Sequence, residues 1–354
     1  MQDGQHAAVA LRKWASLRDL PDPAMDRALS ARRLSEGGGL PAHKLDGNCA
    51  AARAMANLDV LIAAPVFAIQ LLVDGILIGA VFALVAYGMA LVWGVMNVIN
   101  IAQGEFVMLG GYTGVVCARY LGISPFFGIP LGAAVGFLAG LLVYQLVIRR
   151  VVEHDLFTSL LAAFGVSILL AQLLNQAFGP DEVVIDTGLG SLNLFGNMVS
   201  VSVIKLVSCG LTVAIGGALM LFLKRSRLGQ AIRATAQNAR AARVMGIDTD
   251  RIYAMTFAIN AAICGAAGAL VAMIWVVSPY AGLPYTVRSF TIVIMAGLGN
   301  LGGVILSAFG LGVIEQFASF IFGAETEFAF VFSFLVLVLI ARSLILQRQR
   351  KVLR

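Results

Sequence analysis

Apolar runs of about 20 residues recur along nearly all of the chain after residue 58, and that recurrence leaves few folds open. Hydrocarbon offers no hydrogen-bond partners, so a chain of this kind must satisfy its backbone internally, as helices or as a closed barrel. The runs are continuous rather than alternating, which argues against a barrel and predicts an all-α polytopic membrane protein. Hydrophobic segments fall at 59–73, 76–98, 104–120, 125–147, 156–178, 201–223, 252–277, 287–309, 311–323 and 327–346. Two of them, 59–73 and 311–323, are short for a span, so 8–10 transmembrane helices are expected, some of them broken. Asp74 followed by Gly75 reads as a break between the first two. Only 12% of residues are charged, against about 25% in soluble domains.

Charge placement orients the chain. Arg149 and Arg150, the stretch 224–251 and the basic tail 347–354 are assigned to the cytoplasmic side, because basic residues are retained inside. The 179–200 loop holds Asp181, Glu182 and Asp186 with no Lys or Arg, and is assigned outside. With all ten segments crossing, both termini fall inside. The net charge of +6 therefore reports topology, with no nucleic-acid partner implied. The 224–251 stretch is more than a connector. Leu228, Ile232, Ala236, Ala239, Ala242, Val244, Met245 and Ile247 recur at helical spacing between Arg233, Arg240 and Arg243. This predicts a short amphipathic cytoplasmic helix, ending at Gly246, that suits docking of a partner.

Residues 1–58 differ in composition, with eight basic and six acidic residues, three prolines and a Gly-Gly-Gly run at 37–39. They read as a disordered extension of the 59–346 membrane domain. Met55 also opens a stretch that looks like an ordinary start, and removal of 1–54 is expected to leave function intact. The four cysteines are widely spaced and the three histidines are scattered, which argues against a metal site or disulfide framework. No cofactor is expected.

Two stretches resemble each other, 94–114 and 292–310. Each has an apolar run, a polar or glycine break, then a helix with closely spaced small residues, Gly110/Gly114 and Gly299/Gly303. Glycine-interrupted helices in corresponding halves point to a translocation path, with plain helix packing as the alternative. Asn97, Asn100, Gln103, Glu105, Gly299 and Asn300 are the path candidates. Glu105 carries the most weight, because a carboxylate within an apolar span is costly and often functional. A first-turn Glu that merely orders the break is the competing reading. Glu315 is placed at a helix end near the surface, with the bundle interior as its alternative. No nucleophile–base pair is apparent, and no GxxxxGK[ST] loop is present.

The stretches Asn97–Glu105 with Met108–Tyr112, Gly229–Arg251, Ser278–Tyr280 with Gly282, and Ile294–Gly303 together resemble the permeases of branched-chain amino-acid ABC importers, the LivH type. The likeness covers roughly 60–345. Gln103 stands where that family commonly has His, and Asn300 where Ser is frequent. Urea and short-chain amide permeases share the same motifs. The resemblance implies an inner-membrane transport subunit without its own ATPase site. Its implied partners are a LivM-like second permease, two ATP-binding subunits and a periplasmic substrate-binding protein. It also makes Gly229–Arg251 an ATPase-coupling loop, with Arg233, Arg240, Arg243, Gly246, Asp248 and Asp250 its candidate residues, and Ile232, Ala236 and Met245 filling the ATPase groove. An ATP-independent channel or secondary transporter is the competing class, and would need intramembrane ionisable pairs.

Overall fold

The computed structural model describes residues 57, 59, 61, 65–152, 156–194, 199–297, 300–323 and 326–352. The membrane bundle belongs to the unit Asp59–Arg354. The expectations placed on residues 1–56 and on Gly299 lie outside the described residues.

The first helix, α1 (Pro65–Met96), is apolar all round and lies at the centre of the bundle, as such a helix must. It joins the two segments expected at 59–73 and 76–98. Asp74 does not interrupt it, because Lys205 Nζ lies 2.9 Å from one carboxylate oxygen and Gln70 Nε2 donates to the other at 2.7 Å. An answered charge no longer needs a helix end. Gln70 also exchanges hydrogen bonds with the backbone of Ser200. The start of α1 therefore lies at the acidic, outer end of the bundle, and the ten-crossing arrangement fails there.

Helix α2 (Gln103–Arg119) is followed by a 3-10 turn at Pro125–Phe127 and then by α3 (Gly128–Val143). A π-helical turn, Tyr144–Ile148, and one further turn to Val151 carry α3 to the basic end. Helix α4 (Leu156–Phe178) returns to the outer end, where β1 (Ser191–Leu194) and β2 (Val199–Ser202) form a small antiparallel hairpin. Helix α5 (Val203–Arg225) descends to two cytoplasmic helices, α6 (Arg227–Gln237) and α7 (Ala239–Val244). Helix α8 (Thr249–Ile274) then rises beside α1 through the buried core. The last elements are α9 (Gly282–Ala296), α10 (Leu301–Phe322) and α11 (Glu327–Val352). Helix α9 ends at Ala296 and α10 begins at Leu301 and runs on through Gly310, where the segments at 287–309 and 311–323 implied a division.

Among the described residues, six helices are long and apolar enough to cross a membrane. Helices α2 and α9 are shorter because they begin inside the bundle, and α11 carries a further apolar stretch, Ala329–Ile340. Helix α4 turns Leu161, Leu169 and Leu173 outward, which suits contact with lipid.

The tightest packing is a glycine seam. Gly128, Gly132, Gly136 and Gly140 form one row on α3, and α8 answers with Ala269, Gly265, Ala261 and Ala258. A Cβ added at Gly132 would lie 2.7 Å from the Gly265 carbonyl oxygen, and one at Gly136 would strike the Ala261 carbonyl oxygen. Association in lipid rests on such close backbone approach, because the solvent is as apolar as the side chains.

Candidate translocation site and coupling arm

After Met96 the chain turns back into the bundle. Asn97 takes the left-handed conformation (φ 55) that ends α1, and its side chain is exposed. By Gln103 the chain has climbed back to mid-span. Gln103 is fully buried and its Nε2 donates to the Val85 carbonyl at 2.9 Å and approaches Cys264 Sγ at 2.9 Å. Gly88 leaves the room that Gln103 and Asn260 occupy. Asn100 is buried and donates to Gln103 Oε1 at 3.4 Å.

Helix α2 thus begins in the middle of the membrane, and α9 begins against it. A Cβ at Gly104 would strike the Gly282 carbonyl oxygen. Thr286 ties the two first turns together, accepting from Gly104 N–H at 2.8 Å and donating to the Ile101 carbonyl at 3.0 Å. Glu105 sits here, 5% exposed. Its carboxylate packs on Gly282 and accepts from Ser167 of α4 at 3.3 Å. The dipole of the α2 N-terminus favours its charge, although the first N–H groups of the helix are already taken by Thr286 and by the Asn100 and Ala102 carbonyls. Of the sequence-selected path residues, the structure brings Asn100, Gln103 and Glu105 together in one close-packed junction. Asn300 is elsewhere. It is exposed and caps α10, accepting from Gly303 N–H at 3.1 Å.

A second buried charge site contains residues that sequence reasoning missed. Arg288 of α9 is 6% exposed. Its Nε donates to Glu315 Oε1 at 2.7 Å, and its terminal nitrogen donates to Glu315 and to Glu327. The guanidinium lies over the Phe82 ring, 4.9 Å from its centroid. Glu315 is therefore interior, mid-way along α10, and not at a surface helix end. The cluster lines a cavity of about 330 Å³ whose apolar wall includes Ile78, Phe82, Trp275 and Tyr285. A signal existed in the sequence: Arg288 is the only Lys or Arg between Arg251 and Arg342. A lone arginine in so long an apolar stretch needs a carboxylate partner.

The cytoplasmic stretch forms two helices rather than one. Ser226 caps α6 by accepting from Gly229 N–H at 2.8 Å, and extended Asn238 breaks the helix and caps α7 through Ala241 N–H at 3.0 Å. Gly246 holds φ 85, and Asp248 caps α8, accepting from Arg251 N–H at 3.2 Å. Asp250 lies 3.8 Å from both Arg149 and Arg243, and its carbonyl accepts from Tyr144 Oη at 3.2 Å. Arg243 also donates to Thr249 Oγ1 at 2.5 Å. Arg243, Asp248 and Asp250 therefore fasten the arm to α8 and α3. Ile232 is 1% exposed in the chain's own core and has no surface to offer a partner. Val244 and Met245, at 86% and 80%, are the large apolar residues the arm presents, with Ala236, Arg233 and Arg240 also exposed.

The fold is that of a polytopic helical membrane protein, and its role is given by the comparisons. Residues 71–341 match the family model described as "Branched-chain amino acid transport system / permease component". The chain belongs to that family: it is a transport permease rather than an enzyme, the permease subunit of an ABC importer, and a multi-pass protein of the bacterial inner membrane. It is 32% identical over 287 residues to the high-affinity branched-chain amino acid transport system permease protein BraD of Pseudomonas aeruginosa, covering 77% of this chain and 94% of that one. It is 30% identical over 288 residues to LivH of Escherichia coli K12, covering 77% and 92%. LivM of Salmonella typhimurium is 28% identical over 290 residues, covering 74% and 67%. No solved structure matches the chain.

Proposed function

We propose that this subunit forms half of the translocation path for branched-chain or related amino acids. In this reading it pairs with a LivM-like permease, receives cargo from a periplasmic binding protein, and is driven by two ATP-binding subunits beneath it. The cargo is read from the relatives, whose names specify branched-chain amino acids. No ATPase site of its own is needed, because the arm supplies the coupling.

The observation that carries the reading is the division of labour within the arm. One face is fastened inward through Ile232, Arg243 and Asp250, while Arg240, Val244 and Met245 point away from the chain. A fastened lever with an exposed apolar tip transmits force from a partner, whereas a solvated loop has no use for an exposed Met-Val pair. Arg240→Glu combined with Met245→Glu is expected to leave the permease folded and to abolish uptake driven by ATP hydrolysis. Purified complexes assayed for both hydrolysis and labelled amino-acid uptake decide it, and unchanged uptake in the double variant sinks the coupling role. Tagged chain extracted in mild detergent is expected to bring down an ATPase and a second permease.

A further inference from the structure

We infer that the cavity between α1, α9, α10 and α11 is a recognition site within the permease itself, taking the ammonium group of an amino acid on Glu315 and Glu327 and its apolar side chain against Phe82 and Trp275. The inference rests on the amino-acid reading above and adds to it a site and a chemical rule.

Charge comes first. One guanidinium faces two carboxylates, so two acidic groups share a single cation in the interior of the bundle. Arg288 Nε and one terminal nitrogen converge on Glu315 Oε1, while Glu315 Oε2, on a side chain 5% exposed, accepts from no N–H or O–H group among the described residues. Leaving a buried carboxylate oxygen unanswered is costly. Here that oxygen belongs to a residue lining open space. An incoming ammonium group supplies the missing donor and a second cation for the two carboxylates. An incoming carboxylate finds Arg288 already engaged.

Shape agrees. About 330 Å³ lies within the roughly 300–1,000 Å³ range of small-ligand sites. Phe82 and Trp275, parallel to within 9° with centroids 6.0 Å apart, both line the cavity and offer apolar surface to an aliphatic side chain. Aromatic faces also tolerate a nearby cation. A divalent metal is poorly served, because among the described residues no group of three or more His, Cys, Asp or Glu comes together.

Position agrees as well. The lining includes Val276 and Ala281 from the loop after α8, and the adjacent Val277 pairs with Val183 of the acidic outer loop. Cargo released outside meets this cavity before the close-packed junction at Gly104. The loop carries Asp181, Glu182 and Asp186 and no basic residue over 179–200, so its field also favours a cation.

The test separates the two ends of the cargo. The purified importer complex containing the full chain, without binding protein, is titrated calorimetrically with L-leucine, 3-methylbutylamine and 4-methylpentanoate. Leucine and the amine are expected to bind and to compete, and the acid is not. Glu315→Gln is expected to weaken both about tenfold or more, the scale of a lost hydrogen bond between charged groups. Should that variant fail to fold, Val276→Trp at the mouth, an exposed position, keeps the charges and is expected to block both ligands. Acid binding as tight as the amine overturns the inference. So does absence of amine binding at millimolar concentration in a complex that, with binding protein and ATP, still imports labelled leucine. Failure of the complete wild-type importer to take up any amino acid sinks the amino-acid reading instead, and this inference with it.

Discussion

Glu105 and Glu315 are both carboxylates buried at depth in a membrane protein, yet they live in opposite settings. Glu105 lies where two helix starts meet backbone to backbone, held by Ser167 and Gly282, and none of the cavities described borders it. Glu315 lies beside open space and shares an arginine with a second carboxylate, although Glu105 and Glu315 each keep one buried oxygen unanswered. Burial of an acid in lipid does not by itself report function. What distinguishes the two is whether the neighbouring volume is filled by main chain or left for something to enter.

The largest effect tests the filled site. Gly104→Val would drive side-chain carbon into the Gly282 carbonyl, where backbone cannot yield cheaply. No folded chain is expected on detergent size-exclusion of the tagged protein, and a monodisperse peak at wild-type yield would show the junction to be loose. Next is Arg288→Met, which leaves buried Glu315 and half-buried Glu327 without their shared cation. Removing one partner of a buried pair costs about 3–5 kcal/mol, so a large fall in thermal stability in detergent is expected, together with loss of uptake. Glu105→Gln comes third. The amide keeps the size of the side chain and an acceptor for Ser167, so a loss of only about 1 kcal/mol is expected, with uptake within a factor of about three of wild type. Abolished uptake in a folded Glu105→Gln protein would erase the contrast and make Glu105 part of the path. The smallest effect is expected from starting the chain at Met55, with uptake unchanged from the full-length chain in the same assay.

Much of this organisation is legible in the sequence, because hydrophobic length and charge placement are local signals. The span 156–178 and the break after Asn97 lie where the pattern puts them. The failures share a cause. Asp74 looks like a break because its partner Lys205 is 131 positions away. Glu315 looks peripheral until Arg288, 27 positions earlier, is recognised as its counter-ion. Ile232 looks available to a partner because periodicity marks an apolar face without saying which protein covers it. The four-residue spacing of glycines on α3 is plain in the sequence, but its meaning depends on α8 supplying small residues at matching heights.

That glycine seam has a consequence for how the sequence can drift. Where two side chains collide, a second change on the opposite helix can shrink the obstacle and restore the fit. At Gly132, Gly136 and Gly265 the obstacle is a carbonyl oxygen, which no substitution opposite can remove. A selection for suppressors of Gly132→Ala should therefore return true revertants, or changes elsewhere that tilt a helix, and none at position 265. At these three positions the genetic code has no smaller residue left to offer.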